Sequence, residues 1–240
     1  MLVLGKRREI WVGEMAVIKN TLKERWIALI LGLVINAFGS GLTVAANMGA
    51  SPWMASEVNL SEWLKLDIGW PVFVVSCLAA VANQFLLRRW EPRRFFGEIG
   101  FMFFVSFFVN FFTHMFYQMG ILRLSVFTRG VLAIAGVTIF CIAISLYQRA
   151  NLVMHPNDDT TNILRFMYCH GNVLHAQLLN FIPPVTIIVV SWLVTQQLFA
   201  INLGTLFALI FTGNIINLTD RFIWPGLKHN FAVQPEAIDD

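Results

Sequence analysis

Six long apolar runs, separated by shorter polar stretches, dominate the chain. A run of about twenty apolar residues is long enough to cross the hydrocarbon core of a bilayer as an α-helix. Backbone groups in lipid must be hydrogen-bonded within a helix or a closed barrel, and these runs are continuous rather than alternating, which favours helices. The pattern predicts an all-α integral membrane protein with six transmembrane helices, at about residues 26–46, 70–87, 97–119, 130–147, 173–193 and 199–223.

The composition supports a membrane location. Of the 240 residues, 57% are hydrophobic and 13% are charged, whereas soluble domains carry about a quarter charged residues. The runs predict one six-helix domain over residues 26–223, with a basic tail over 1–25 and a second tail over 224–240. The net charge is only +3, and Lys and Arg cluster at the ends of apolar runs. We therefore expect the lipid bilayer as a partner and no nucleic acid.

Basic residues predict the orientation of the helices. The first tail and the loop between the second and third runs are rich in Lys and Arg, which marks cytoplasmic segments. The stretch after the first run is acidic and is expected outside. Six crossings then place both termini in the cytoplasm. The basic residues are Lys6, Arg7, Arg8, Lys19, Lys23, Arg25, Arg88, Arg89, Arg93 and Arg94, and the acidic ones are Glu57, Glu62 and Asp67.

Specific residues recur when the sequence is shifted by 104 positions without gaps. Each half, about 26–119 and 130–223, then holds three runs with a Pro-containing stretch after the first. Because three is odd, the second half would be inverted relative to the first, as in many secondary transporters. The alternative is coincidence combined with the usual residues at helix ends. The matches are Gly32 with Gly136, Ile35 with Ile139, Ala46-Asn47 with Ala150-Asn151, Pro52 with Pro156, Gly100 with Gly204, Phe103 with Phe207, Phe107 with Phe211, and Asn110 with Asn214.

The two Pro-containing stretches form the main candidate site. Pro52 and Pro156 are predicted in the first turn of new helices, with Ser51 or His155 at the cap. Free N–H groups at helix starts bind anionic groups, and an acid such as Asp158 or Asp159 binds a cation or a proton. The alternative is an interfacial loop whose Pro and acids start a helix in water. The residues expected to bind solute here are Asn47, Ser51, Trp53, Asn151, His155, Asn157 and Asp158.

Polar side chains within the runs form a second candidate group. A membrane-embedded amide is costly unless it is hydrogen-bonded, so Asn110 and Asn214 either line a substrate path or join helices. His114 lies one turn beyond Asn110, where a histidine serves in packing or in a proton relay. Asn36 and Asn180 are further candidates to face the bundle interior.

Two features concern helix packing. Gly32, Gly39 and Gly41 in the first run would allow a neighbouring helix to approach closely. The Pro183-Pro184 pair predicts a kink in the fifth run, which is compatible with gating.

No pattern of catalytic residues is present in the sequence. It contains no nucleophile–base constellation, no Gly-rich phosphate loop and no HExxH zinc motif. Glu98 and His114 would be about 24 Å apart along one helix, too far to act together. Cys77, Cys141 and Cys169 lack metal-ligand spacing. We therefore expect no enzyme activity, no cofactor and no metal site.

Several short motifs resemble those of the YitT/YczE family of bacterial integral membrane proteins. The resemblance implies a bacterial membrane protein of a largely uncharacterised family, with transport as its expected activity. Met54 stands where an acid is common, so a function shared by two acids would fall on Asp158 alone. Phe101 also replaces a residue that is usually polar. The motifs are Gly39-Ser40-Gly41-Leu42, Asn47-Met48-Gly49-Ala50-Ser51-Pro52-Trp53, Pro156-Asn157-Asp158 and Leu203-Gly204-Thr205-Leu206-Phe207-Ala208-Leu209.

These patterns together predict a transporter of a small polar or amphipathic solute in a bacterial cytoplasmic membrane. The site would lie between the two Pro-containing stretches, with Asp158 coupling a proton or binding a cationic group. Asn110, His114 and Asn214 would line the path. The alternative is a non-transporting accessory protein that binds or stabilises a membrane partner.

Overall fold

A computed structural model describes residues 20–228, so most of the two predicted tails, 1–25 and 224–240, lies outside the described residues. The helices of the described part are α1 (Leu22–Ala46), α2 (Pro52–Leu64), α3 (Gly69–Leu87), α4 (Pro92–Gln118), α5 (Val126–Ala150), α6 (Pro156–Ile163), α7 (Val173–Asn180), α8 (Ile182–Thr195) and α9 (Leu203–Phe222). A 3-10 turn at Ile121–Arg123 joins α4 to α5, and a π-turn at Leu164–Tyr168 follows α6.

Six helical segments of the described chain are long and apolar enough to cross a membrane: α1, α3, α4, α5, the α7–α8 pair and α9. The predicted all-helical architecture with six such helices is confirmed. Several helices begin before their apolar run because their capping residues lie in the polar flank. Thr21, for example, accepts a hydrogen bond from the Glu24 N–H, and the Glu24 carboxylate accepts one from the Thr21 N–H.

The helices α1 and α5 pack along each other and form the centre of the bundle. Small residues make the approach close. A Cβ atom on Gly39 would lie 2.7 Å from the carbonyl oxygen of Gly136, and one on Gly136 would lie 2.7 Å from Cγ2 of Thr43. The predicted role of Gly39 in close packing is confirmed. On this central pair, α4 packs against α1 and α9 packs against α5.

The two Pro-containing stretches fold as the short helices α2 and α6, which start in the same way. Asn47 and Asn151 end the preceding long helices in the left-handed conformation, with φ of 49° and 47°. Ser51 and His155 then cap the short helices, and each is followed by a Pro. The two short helices exchange packing partners between the halves of the chain, since α2 packs on α8 and α6 packs on α3. Each short helix is thus held by the other half of the chain.

The fifth span is interrupted. The helix α7 ends at Asn180, and α8 begins at Ile182 with Pro183 and Pro184 in its first turn. The expected kink is therefore a break at Phe181. The helix α3 packs along α4, whereas across residues 20–228 α8 makes no comparable contact with α9. The fifth and sixth spans are consequently less enclosed than the other four.

Two glycines from the sequence motifs join the end of α1 to the start of α9. The Gly204 N–H donates to the carbonyl oxygen of Met48 at 2.8 Å. A Cβ atom on Gly49 would lie 2.5 Å from the backbone nitrogen of Thr205, and the Ala50 N–H donates to the Thr205 hydroxyl at 3.2 Å. These motif residues therefore have a packing role at one end of the bundle.

The two ends of the described chain also lie together. The Asn20 amide donates to the carbonyl oxygen of Lys228 at 2.7 Å. The buried Arg149 donates to the carbonyl oxygens of Ile223 and Trp224 at 2.9 and 3.0 Å. Both ends therefore lie on one side of the bundle, as an even number of spans requires.

Candidate functional site

A cavity of about 640 Å³ lies inside the bundle between α2 and α6, with further walls from α1, α5, α7 and α9. It brings together residues from both Pro-containing helices and from the interrupted fifth span. The sequence-predicted site residues that line it are Ser51, Trp53, His155, Asn157, Asp158 and Asn214.

Asn47 and Asn151 lie outside this cavity. Both residues end long helices in the left-handed region, which asparagine adopts more readily than most side chains. Asn151 lies instead on the wall of a second cavity of about 510 Å³, beside Arg94 and Asp159. The structure thus gives the two matched asparagines a shared role in ending helices.

Asn110 and His114 also lie outside the central cavity. The side chain of Asn110 faces Gly69, on which a Cβ atom would lie 3.0 Å from the Asn110 Cβ. The His114 side chain is half-exposed, and its Nε2 lies 3.3 Å from Oδ1 of Asp67. Of the three residues predicted to line a path, Asn214 is therefore the one that lines the cavity.

The start of α6 brings two titratable groups to the cavity wall. The Tyr147 hydroxyl donates to the Asp158 carboxylate, and Nδ1 of His155 accepts the Asn157 N–H at 3.3 Å. Burial raises the pKa of Asp158, against the opposing effects of His155 and the Tyr147 hydroxyl. Burial lowers the pKa of His155. Asp158 therefore takes up and releases a proton at a higher pH than an exposed aspartate does.

Glu57 is a cavity residue that the sequence pattern does not predict, because it lies with Glu62 and Asp67 in an acidic stretch expected outside the membrane. The structure buries Glu57 to 3% exposure and places it on the cavity wall. It has no hydrogen-bond or ion-pair partner among the described residues, and burial raises its pKa well above the ordinary 4.5. The sequence does contain one indication that Glu57 faces the cavity, since it lies one turn after Trp53 on the same face of α2.

Three buried amides around the cavity have atoms without hydrogen-bond partners among residues 20–228. Asn157 has no partner for Nδ2 or Oδ1, Asn180 has none for Oδ1, and Asn36 has none for Nδ2. Each residue is at most 5% exposed. Buried polar atoms are normally hydrogen-bonded, so these atoms are candidates for hydrogen bonds to a polar ligand or water. The expectation that Asn36 and Asn180 face the bundle interior is confirmed.

Asp159 has a different role from the adjacent Asp158. The Arg94 guanidinium donates two hydrogen bonds of 2.5 Å to the Asp159 carboxylate. Glu98 is 1% exposed, its Oε1 lies 3.8 Å from Arg94 Nε, and its Oε2 lies 3.4 Å from the Asn83 amide nitrogen. This network joins α6 to α3 and α4, beside the second cavity.

Comparison with known proteins supports the family resemblance. Residues 23–221 match a family of unknown function, DUF6198. The "uncharacterized membrane protein YczE" of Bacillus subtilis (strain 168) is 25% identical over 203 residues, which cover 84% of this chain and 87% of that protein. These two matches confirm the YitT/YczE-like assignment. No solved structure matches the chain.

Proposed function

We propose that this chain, which belongs to the DUF6198 family, is a membrane transporter of a small polar or amphipathic solute. The observation that carries the proposal is the cavity of about 640 Å³ between α2 and α6, whose wall contains buried acids and unpartnered amides. Ionisable groups inside a membrane bundle are costly and are typical of substrate and ion pathways. In this proposal the cavity holds the solute, and Asp158 couples its movement to a proton or cation.

Many lining positions of the cavity are 104 residues apart, the same interval that separates α1 from α5. Transporters built from inverted repeats bind their substrates at the interface between the repeats. The spacing supports two inverted three-helix repeats, at about 26–119 and 130–223, with α2 and α6 after the first and fourth spans. The lining pairs are Asn36 with Phe140, Ser40 with Ile144, Ser51 with His155, Trp53 with Asn157, Met54 with Asp158, Glu57 with Thr161, and Val105 with Leu209.

The two halves contribute their acids at different positions. Met54 is the counterpart of Asp158, and Thr161 is the counterpart of Glu57. Each half therefore supplies one carboxyl group to the cavity. The sequence-based expectation that an acid function falls on Asp158 alone is revised accordingly, and the proposed site contains two acids.

We place the protein in a bacterial cytoplasmic membrane as a multi-pass protein with both termini in the cytoplasm. Arg88, Arg89, Arg93 and Arg94 surround the turn between α3 and α4, and basic segments favour the cytoplasmic side. The contact between the two ends of the described chain is compatible with this arrangement. The Bacillus relative supports a bacterial membrane.

An accessory membrane protein is the second candidate, and the exposure of the last two spans favours it. Only 22% of the apolar part of α7–α8 and 17% of that of α9 is buried within the chain. A helix of a membrane partner, rather than lipid, would then cover these faces. A stable stoichiometric partner, together with no solute binding, would favour this candidate. Neither candidate involves catalysis or a cofactor.

The first experiment is a thermal-stability screen of the purified protein against metabolites and ions at two pH values. A ligand that binds only the folded state stabilises it by about 2.7 kcal/mol at a hundredfold excess over its Kd. A stabilising solute is then tested for uptake into proteoliposomes that contain the wild type, Asp158→Asn or Glu62→Gln. Glu62 is a matched control because it lies on α2 and its half-exposed carboxylate pairs with Lys65.

We expect Asp158→Asn to insert and fold normally but to lose uptake, because its amide cannot exchange a proton or neutralise a cation. Glu62→Gln should transport like the wild type. Wild-type uptake by a well-folded Asp158→Asn variant would contradict the proposed role of Asp158 and leave it as a residue of the helix start.

A further inference from the structure

Within residues 20–228, the charged side chains on the wall of the central cavity have one sign. The lining residues in this part of the chain include Glu57 and Asp158 but no Lys or Arg. His155 is the other titratable group of the described wall, and burial lowers its pKa, which disfavours the positively charged imidazolium. A positively charged ligand therefore suits this cavity better than an anion does.

Glu57 differs from the neighbouring acids because it lacks a partner. The Asp158 carboxylate accepts a hydrogen bond from Tyr147, and Asp159 forms an ion pair with Arg94. Glu57 has neither kind of contact within residues 20–228. A buried carboxylate is strongly destabilising unless a proton or a cation neutralises it. The cavity beside Glu57 offers the space for such a cation.

Amide oxygens on the same wall supply further acceptors. Among the described residues, Oδ1 of Asn157 and Oδ1 of Asn180 are buried without partners, and Asn180 Nδ2 donates to the Thr161 hydroxyl at 2.8 Å. A primary ammonium group has three N–H donors and no acceptor. Trp53 and Phe140 also line the cavity, and the faces of aromatic rings attract cations.

An organic cation fits this wall better than a metal ion does. Among the residues that the structure describes, no group of three His, Cys, Asp or Glu side chains could hold a metal ion. The cavity of about 640 Å³ has room for the apolar body of a small organic molecule, and much of its wall is apolar. Leu178, Leu209 and Ile216 belong to that apolar wall.

We infer that the cavity binds an organic cation, an ammonium group on a partly apolar body, with Glu57 as its counter-ion and Asn157 and Asn180 as acceptors. This inference rests on the proposed transport function and names the substrate class of the same site. It also assigns Glu57 the role of a binding residue.

The test measures binding of a matched set of probes to the full chain in lipid nanodiscs, by calorimetry and thermal stability. The probes are phenethylammonium, the neutral phenethyl alcohol and the anionic 3-phenylpropionate, with Na⁺, K⁺ and Mg²⁺ as inorganic cations. We expect phenethylammonium to bind more tightly than every other probe. Binding of the alcohol as tight as that of the amine, or no binding of the amine, would overturn the inference.

A pair of variants on α2 tests the counter-ion. We expect Glu57→Gln to weaken binding of phenethylammonium by roughly 10- to 100-fold, the loss that follows removal of a charged hydrogen-bond partner. Glu62→Gln, with its exposed carboxylate, should bind like the wild type. Unchanged affinity in Glu57→Gln would refute the assignment.

A measurement on the wild type covers the case in which Glu57→Gln does not fold. Dicyclohexylcarbodiimide modifies protonated carboxyl groups in apolar surroundings, and mass spectrometry of peptides locates the label. We expect phenethylammonium, but not phenethyl alcohol, to protect Glu57 from labelling. Equal labelling with and without the amine would overturn the inference.

Proteoliposome uptake separates this inference from the proposed function. If phenethylammonium binds through Glu57 but no uptake occurs, the cation site stands and transport is refuted. If the liposomes take up a neutral solute, and the amine neither binds nor competes, transport stands and the cation site is refuted.

Discussion

Loss of the Arg94 side chain should destabilise the protein more than loss of the Asp159 charge, although the two residues form one ion pair. The Arg94 guanidinium makes two hydrogen bonds of 2.5 Å to Asp159, and it also lies 3.8 Å from Glu98 and 3.3 Å from Glu91. Arg94→Met would therefore leave two buried carboxyl groups, at positions 98 and 159, without their cation. Asp159→Asn would leave the arginine with two other acids.

The expected magnitudes follow from burial. The Asp159 side chain is 5% exposed and that of Arg94 is 32% exposed, so the pair is largely shielded from water. Removal of one partner from a buried pair costs about 3–5 kcal/mol, which we expect for Arg94→Met. Asp159→Asn keeps its shape and one hydrogen bond, and we expect a cost of about 1.5–3 kcal/mol. The double variant should cost less than the sum of the two single changes.

The assay is reversible unfolding in mixed micelles, monitored by Trp fluorescence for the wild type, the two single variants and the double variant. A free energy of unfolding for Arg94→Met within about 1 kcal/mol of the wild type, which is the size of an exposed pair, would refute the reasoning. Strict additivity in the double variant would refute it as well, because the two side chains would then act independently.

Two further predictions concern the helix contact and the pH dependence of stability. Gly39→Ala should destabilise the protein by about 1–3 kcal/mol, because the new Cβ would lie 2.7 Å from the α5 backbone. Gly100→Ala is the matched control, since its Cβ would have no described atom within 4 Å. Equal melting temperatures of the two variants would contradict the prediction. Burial raises the pKa of Glu57 above 4.5, so the folded state holds this proton more tightly than the unfolded state, and stability should fall as the pH rises from about 4.5 through the raised pKa. The effect is measured as the difference in free energy of unfolding between the wild type and Glu57→Gln as a function of pH. Asp158 contributes with the same sign and His155 with the opposite sign, and both contributions cancel in this difference. A difference independent of pH would contradict the prediction.

The helices could be predicted from the sequence because each depends on the local pattern of apolar and capping residues. The apolar runs predicted the six spans, and the residues around Pro52 and Pro156 predicted two helix starts that the structure contains. The resemblance to the YitT/YczE family was carried by short motifs, of which Gly49 and Gly204 turn out to contact each other. Such motifs describe local chain geometry and the closest backbone contacts.

The residues of the cavity wall were harder to predict from the sequence because they are brought together by contacts between distant segments. Glu57 lies in a stretch whose net charge suggested an exterior loop, and its burial follows from the packing of α2 against helices distant in sequence, chiefly α8. The pairing of Asp159 with Arg94 joins residues 65 positions apart, and no local pattern distinguishes Asp159 from Asp158. His114 likewise lies beside Asp67, in the loop between α2 and α3, so its position outside the cavity could not be derived from its own helix.

The exchanged packing of the short helices has a consequence for biosynthesis. The helix α2 leaves the ribosome long before α8, the helix on which it packs. At about 5–20 residues per second, the segment between them takes roughly 6–24 s to synthesise. During that interval the number of completed spans rises from one, α1, to four, with α3, α4 and α5 added, and α2 lacks the helix on which it packs. A chain truncated after its third span would keep that defect permanently, and we expect membrane proteases to remove it rather than let it accumulate as a half-size protein.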